Sequence, residues 1–256
     1  MIMFGGQVRS VEDIAALEAW DFQVGEVALT SKAAFEYWLQ SGVKNANDSG
    51  MLLIAHGPVE GPPNDLDNLW NKVMPALEDT IATCAVLAIR FLTIHLWTDP
   101  RFVKKEVIDN KIVALGDITA FAADRGVRIG IENLSEKADD LERLLEAVPL
   151  LGITLDVGHG QLLAETNTAF PIIERLSSRI AHLHLHDNHG GKGVRDDLHL
   201  PIGEGIVDFP RILEALIRKR YCGTATLELK PLDLVLSRQR LQQIIDRIGE
   251  KQAVGS

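Results

Sequence analysis

The chain has 256 residues, 46% of them hydrophobic and 24% charged, with a formal net charge of −10. That length and apolar content suit one large domain or two small ones, with a real core, and exclude disorder as the main state. Only two cysteines, Cys84 and Cys222, without CxxC spacing, exclude a disulfide scaffold or zinc finger, and 21 glycines exclude a collagen-like chain.

In chain order, short apolar runs alternate with amphipathic stretches. Residues 1–4 form the first predicted strand. Ser10 caps a helix through Trp20, with Glu12 and Asp13 in its first turn, where the helix dipole favours acids. Residues 22–29 are the second strand, and Ser31 opens a helix ending near Gly42. Residues 51–56 (MLLIAH) make a short buried strand, and 65–88 a long helix with Pro75 as a kink. Strand four covers 90–95, followed by a helix over 101–125 that stops at Gly126, a natural left-handed C-terminal cap. Strand five is 127–132, its helix 135–148, strand six 152–156 and the next helix roughly 161–176. Strand seven is 179–184, followed by a helix over 209–220, strand eight at 224–229 and a last helix at 234–248.

Eight strand–helix pairs imply parallel pairing and a single-domain α/β fold over residues 1–256, a (β/α)8 TIM barrel. A doubly wound sheet is the rival, but no GxGxxG follows an early strand. The longest irregular stretch is 187–207, and residues 251–256 are expected to be a disordered tail.

In such a barrel, chemistry sits at the C-terminal ends of the strands. Here six consecutive strands end in a histidine or a carboxylate: His56, His95, Glu132, Asp156 with His159 three residues on, His184 between His182 and His186, and Glu228. Asp197 and His199 follow in the loop after strand seven. A lone histidine at a strand end is most simply a satisfied polar residue, and Glu132 alone could cap a helix. Period two puts the strand-seven trio on one face at three depths, so only one or two reach a rim site. Jointly the groups are poorly explained by accident, because burying them costs free energy unless they are paired or metal-bound. Imidazoles and carboxylates without thiolates suit zinc, manganese, iron or cobalt, whereas calcium prefers oxygen alone.

The motifs IGIENL, LDVGH, HLHLHDN, DDLHLPIGEG and LELK together resemble the xylose-isomerase-like barrel superfamily across essentially the whole chain. That superfamily includes sugar isomerases, ketose 3-epimerases and the endonuclease IV family of abasic-site nucleases. The epimerase resemblance implies one divalent metal on Glu132, Asp156, His184 and Glu228, with His159 contacting substrate. The nuclease resemblance implies up to three metals, adding His56, His95, His159, Asp197 and His199. Against the nuclease, GPVEGPPND after His56 lacks probing aromatics, and LWTDPR after His95 departs from the glycine-serine-histidine pattern expected there. The loop charges are also mixed: Arg9, Lys32, Arg101, Lys192, Arg195 and Lys230 are offset by Glu60, Asp65, Asp99, Glu136, Asp196 and Glu204.

The first expectation is therefore a metal-dependent isomerase or epimerase of a sugar or sugar phosphate. Glu132 and Glu228 would be catalytic bases on either side of a metal-stabilised enediolate. His159 and His186 would contact substrate, and Lys192, Arg195 and Lys230 would bind an anionic group, although each lysine or arginine alone reads more readily as solvated surface charge. The second is a multinuclear zinc phosphodiesterase, which needs His56, His95, Asp197 and His199. A non-catalytic metal- or sugar-binding protein is the third, and it would not need two bases. No run reaches the ~20 residues of a membrane span, no positive n-region opens the chain, and the acidic balance (pI ≈ 5.3) argues weakly against nucleic acid. A cytoplasmic homodimer or homotetramer is expected.

Overall fold

The apolar runs become eight parallel strands that pair in sequence order, β1 (Met3–Val8), β2 (Val24–Ala28), β3 (Leu52–His56), β4 (Phe91–Ile94), β5 (Arg128–Glu132), β6 (Gly152–Asp156), β7 (Ile180–Leu185) and β8 (Thr224–Leu227). β8 pairs back onto β1, with Gly6 opposite Leu227, and closes the barrel. The computed structural model describes residues 2–43 and 50–254. Helices α1 (Val11–Ala19), α2 (Lys32–Gln40), α3 (Leu66–Asn68), α4 (Met74–Val86), α5 (Lys105–Ala123), α6 (Ala138–Ala147), α7 (Ala169–Leu176), α8 (Phe209–Arg218) and α9 (Pro231–Val254) fill the connections. Among the described residues, no helix is long and apolar enough to cross a membrane.

Side-chain alternation divides each strand between two environments. Leu92, Ile94, Ile129, Ile131, Ile153, Leu155, Leu183, Leu185, Ala225 and Leu227 are buried in the continuous apolar core. The alternate positions meet across the barrel, and many are polar. Thr93 and Thr154 share a 2.8 Å hydrogen bond, and the two ring nitrogens of His182 lie 2.7 and 3.0 Å from the hydroxyls of Thr224 and Thr226. These threonine and His182 groups therefore have partners inside the barrel, as their desolvation requires.

Local chemistry sets the helix starts. Ser10 accepts from Asp13 N–H while the Asp13 carboxylate accepts from Ser10 N–H, a reciprocal capping box, and Ser31 Oγ accepts from Ala34 N–H. Gly126 follows α5 with φ +69°, as its cap position predicts.

Several boundaries differ from the sequence expectation. β1 starts at Met3 and runs through two glycines to Val8, whereas residues 1–4 were predicted; Met1 lies outside the described residues. Gly5 is needed there because a Cβ would fall 2.2 Å from the carbonyl oxygen of Val24. The helix predicted over 65–88 is divided into α3, a π-turn over Leu69–Val73 and α4. Pro75 has no N–H to continue the α ladder, and the wider turn just before it absorbs the break. α5 begins at Lys105 because the preceding residues wrap around Asp99, whose backbone carbonyl accepts from Phe102 and Val103 N–H. Between β6 and α7 only a 3₁₀ turn, His159–Gln161, precedes the helix at Ala169. α9 begins at Pro231 and extends to Val254, into the segment expected to be a disordered tail; residues 255–256 lie outside the described ones.

Candidate metal centre and active site

The C-terminal ends of β3 to β8 bring all nine predicted ligand residues to one end of the barrel. They fall into overlapping groups whose ligand atoms lie within 4.8 Å of one another. Glu132, Asp156, His184 and Glu228 form one wholly buried group; His56, His95 and Glu132 form a second; His159, Asp197 and His199, joined by His186, form a third. Glu26 and His182, which were not predicted as site residues, make a further group with His184.

Glu132 is the hub. Its Oε2 lies 2.9 Å from His95 Nε2, 3.2 Å from His184 Nδ1 and 3.3 Å from His56 Nε2, and its Oε1 lies 3.1 Å from His159 Nδ1. Burial pushes the Glu132 carboxyl up, but the imidazoles of His95, His184 and His159 outweigh it and hold the group well below the ordinary carboxylate range. Burial likewise disfavours a charged His184, yet Glu228, Glu26 and Glu132 hold it well above the usual imidazole value. His56, opposed by burial and favoured by Glu132, is raised to about 9.

Asp156 is fixed by the end of the neighbouring strand. Asn133, after β5, accepts from the Asp156 N–H and donates its side-chain amide to the Asp156 carbonyl, both at 2.9 Å. The Asp156 carboxylate accepts from His159 N–H at 2.7 Å and lies 3.1 Å from His186 Nε2. His186 is therefore buried against Asp156, with no exposed surface, and its ring stacks on that of His199. Glu228 is reached from across the barrel seam, where Gln7 Nε2 donates to its Oε1 at 3.0 Å.

Asp197 and His199 arrive on the long loop after β7, and one buried carboxylate fastens that loop. Asp187 accepts from the N–H groups of Asn188, Gly203 and Gly205 at 2.9 Å and of Val207 at 3.0 Å. Asp187 and Leu200 also exchange backbone hydrogen bonds. His199 adopts φ +47°, an uncommon conformation for a non-glycine residue, and its Nε2 lies 3.3 Å from Asp197 Oδ2. Burial opposes the charged form of His199, but Asp197 and Glu228 raise it to about 9; in turn His159 and His199 outweigh burial and hold Asp197 below its ordinary value.

The predicted charged partners separate. Lys230 lines a cavity of ≈ 440 Å³ with Arg9, Gln7, His199 and Glu228. That space adjoins a cavity of ≈ 330 Å³ over Glu26, His56, His95, Glu132, His159 and Asp197. Lys192 and Arg195 are exposed and line neither. Arg101 is bound to Asp99, so it faces a loop carboxylate. Glu60, Asp99 and Glu136 are buried and tie the loops after β3, β4 and β5 together: Glu60 accepts from Trp97 N–H and pairs with Lys111, Asp99 accepts from Ser135 Oγ, and Glu136 accepts from the N–H of Thr98, Leu134 and Ser135. These acids are structural clips and not surface charge.

Whether the buried quartet suits a cation can be tested on its own atoms. His184 Nδ1 is fully buried with no hydrogen-bond partner, although carboxylate oxygens of Glu132, Glu228 and Asp156 stand 3.2, 3.6 and 3.9 Å away. Three buried carboxylates around one unpartnered ring nitrogen form a donor set that a divalent ion would neutralise, so the residues fit a metal.

Comparison with known proteins agrees with the barrel. The chain is 29% identical over 219 residues to the uncharacterized protein MJ1311 of Methanocaldococcus jannaschii, covering 78% of this chain and 72% of that one. Its fold superposes on that of a D-tagatose 3-epimerase-like protein with a TM-score of 0.81 at 25% identity, over 98% of this chain and 99% of the other. An L-ribulose 3-epimerase superposes with a TM-score of 0.79 at 14% identity, over 100% and 98%. Residues 14–249 match the family described as the xylose isomerase-like TIM barrel, and the chain belongs to that family.

Proposed function

We propose that this protein is a divalent-metal-dependent isomerase or epimerase of a sugar or sugar phosphate. The observation that carries the reading is the buried quartet of Glu132, Asp156, His184 and Glu228, in which two glutamates, one ending β5 and one directly following β8, face one point beneath an open cavity. These four residues would hold the ion, which when bound supplies Lewis-acid polarisation of a carbonyl and its neighbouring hydroxyl. The structural likeness to the D-tagatose 3-epimerase-like protein supports a ketose as the substrate class.

The chain's own residues account for the proton transfers. One glutamate takes the proton from the carbon beside the carbonyl, and the C–H electron pair moves into the carbon framework. The other glutamate returns a proton to the opposite face, which inverts that carbon; return to the adjacent carbon gives the isomer. Gln7 orients Glu228 by donating to Oε1, leaving Oε2 as the oxygen free of that bond. The clipped loops after β3, β4 and β5 hold the rim in place around the substrate. Arg9 and Lys230, which line the adjoining cavity, would meet an anionic end of the substrate.

The test is deuterium uptake. Ketoses incubated in D₂O with the metal-loaded protein should gain deuterium at the carbon next to the carbonyl, and a failure across ketoses and their phosphates would remove the proposal.

A second reading, a multinuclear phosphodiesterase, is favoured by one specific observation: His56 and His95 both lie on Glu132 Oε2, and His159, Asp197 and His199 make a further group. Two or three ions per chain together with hydrolysis of a phosphodiester would establish it over the first.

A further inference from the structure

We propose that Glu26, in the middle of β2, is a positioning residue that fixes the ring orientation and the proton location of His184 for the divalent ion; this rests on the metal-dependent reading above. Glu26 Oε1 lies 3.1 Å from His184 Nε2. An ionised carboxylate only accepts, so this contact places the hydrogen on Nε2 and leaves the lone pair on Nδ1. Nδ1 is the atom that faces Glu132, Glu228 and Asp156 and has no hydrogen-bond partner. The two nitrogens of one ring thus serve two different sets of acids, one orienting and one ligating.

The surroundings favour this assignment over a packing role. Glu26 is 1% exposed on a strand whose neighbours Val24 and Val27 are also buried, a position where an apolar residue would cost nothing. Its other oxygen, Oε2, has no hydrogen-bond partner. His182 Nε2 is 3.6 Å from it, but that ring is engaged by Thr224 and Thr226. Glu26 therefore keeps one well-placed contact, to His184, at the expense of an unsatisfied buried atom. A fold-stabilising residue would be better satisfied.

The experiment measures metal affinity by competition of Zn²⁺ or Mn²⁺ against a chelator of known affinity, without any assay of turnover. Glu26→Gln should weaken binding by about ten- to a hundredfold, the usual effect of losing the outer partner of a ligand histidine. Glu26→Asp, which keeps the carboxylate, should restore part of the loss. Thr93→Val, which removes a buried interior hydroxyl bonded to Thr154, should bind as the wild type does. In the metal-loaded wild type, long-range ¹H–¹⁵N spectra of labelled histidine should place the His184 proton on Nε2, a reading that no variant's folding affects. Wild-type affinity in Glu26→Gln, or a proton on Nδ1, overturns this proposal while leaving the metal reading intact. A wild type that binds no divalent ion overturns both.

Discussion

His95 Nε2 stands 2.9 Å from Glu132 Oε2, the shortest of the contacts that four imidazoles make to this carboxylate. Because Glu132 belongs both to the buried quartet and to the group with His56 and His95, the two readings of the site separate at this contact. In the isomerase reading, His56→Ala combined with His95→Ala should keep one tightly bound ion per chain, measured by elemental analysis of the purified protein. Asp156→Asn should lose it. Loss of an ion in the double variant from a wild type holding two or three would favour the hydrolase.

Glu228→Gln should fall below one hundredth of wild-type proton exchange, because an amide cannot take the proton, while its circular dichroism and melting profile stay close to those of the wild type. A variant that still exchanges at the wild-type rate would end the two-glutamate mechanism.

Without metal, stability and metal affinity should run in opposite directions with pH. His56 and His199 are raised from 6.5 to about 9 in the fold, so the stability they contribute is fully present below 6.5 and is lost as pH rises through about 9. Thermal melts of the metal-free protein should fall over that window. Metal must displace the proton that His184 holds at neutral pH, so chelator competition should show tighter binding over the same rise in pH. A metal-free melting temperature that climbs between these values would contradict the folded-state charges.

Asp187→Ala leaves four buried or half-buried N–H groups without their acceptor. Each such charge-assisted bond is worth roughly 1.5–3 kcal/mol, so a loss on the order of 3 kcal/mol is expected in urea unfolding, even with water replacing some of them. Limited proteolysis should also begin within 187–207 in this variant and not in the wild type.

The two cysteines should react unequally. Burial pushes the Cys84 thiol up to about 12, while Cys222 is exposed. One equivalent of a thiol reagent should be consumed quickly in the native protein, and the second only on denaturation. Mass mapping of the fast adduct to Cys84 would refute the placement of that residue.

Most of the barrel was legible because its signals are local. Apolar runs of strand length, Ser10 and Ser31 as caps and Gly126 as a stop each act within a few residues. The errors arose where a distant partner decides. Glycines at 5 and 6 look like a strand end, yet the backbone of Val24 leaves no room for a side chain at Gly5, and Leu17 and Leu234 crowd the one missing at Gly6. Ser135 and Glu136 look like the opening of a helix, but they are claimed by Thr98, Trp97 and Asp99 from another loop. Among site residues, those at strand ends stood out from apolar surroundings. Glu26 did not, since a charged residue in VGEVA reads as the solvent face of an alternating strand. Its one clue is that both flanks are otherwise free of polar side chains. His186 has the same spacing as His184 and is equally buried, and only their partners tell them apart: Asp156 for His186, Glu132 and Glu26 for His184.

The contact from Gln7 to Glu228 has a consequence for how the protein is made. It joins residues 221 positions apart, on the first and last strands of the barrel. Glu228 enters only when the chain is nearly complete, and its orienting partner has by then waited through seven strands. A nascent or prematurely ended chain can gather histidines and two of the quartet's three acids, but it lacks the glutamate that the proposed mechanism uses as its second base. Under the proposed mechanism, chemistry would switch on with closure of the ring, so catalytic competence would report that the last staves of the barrel have met.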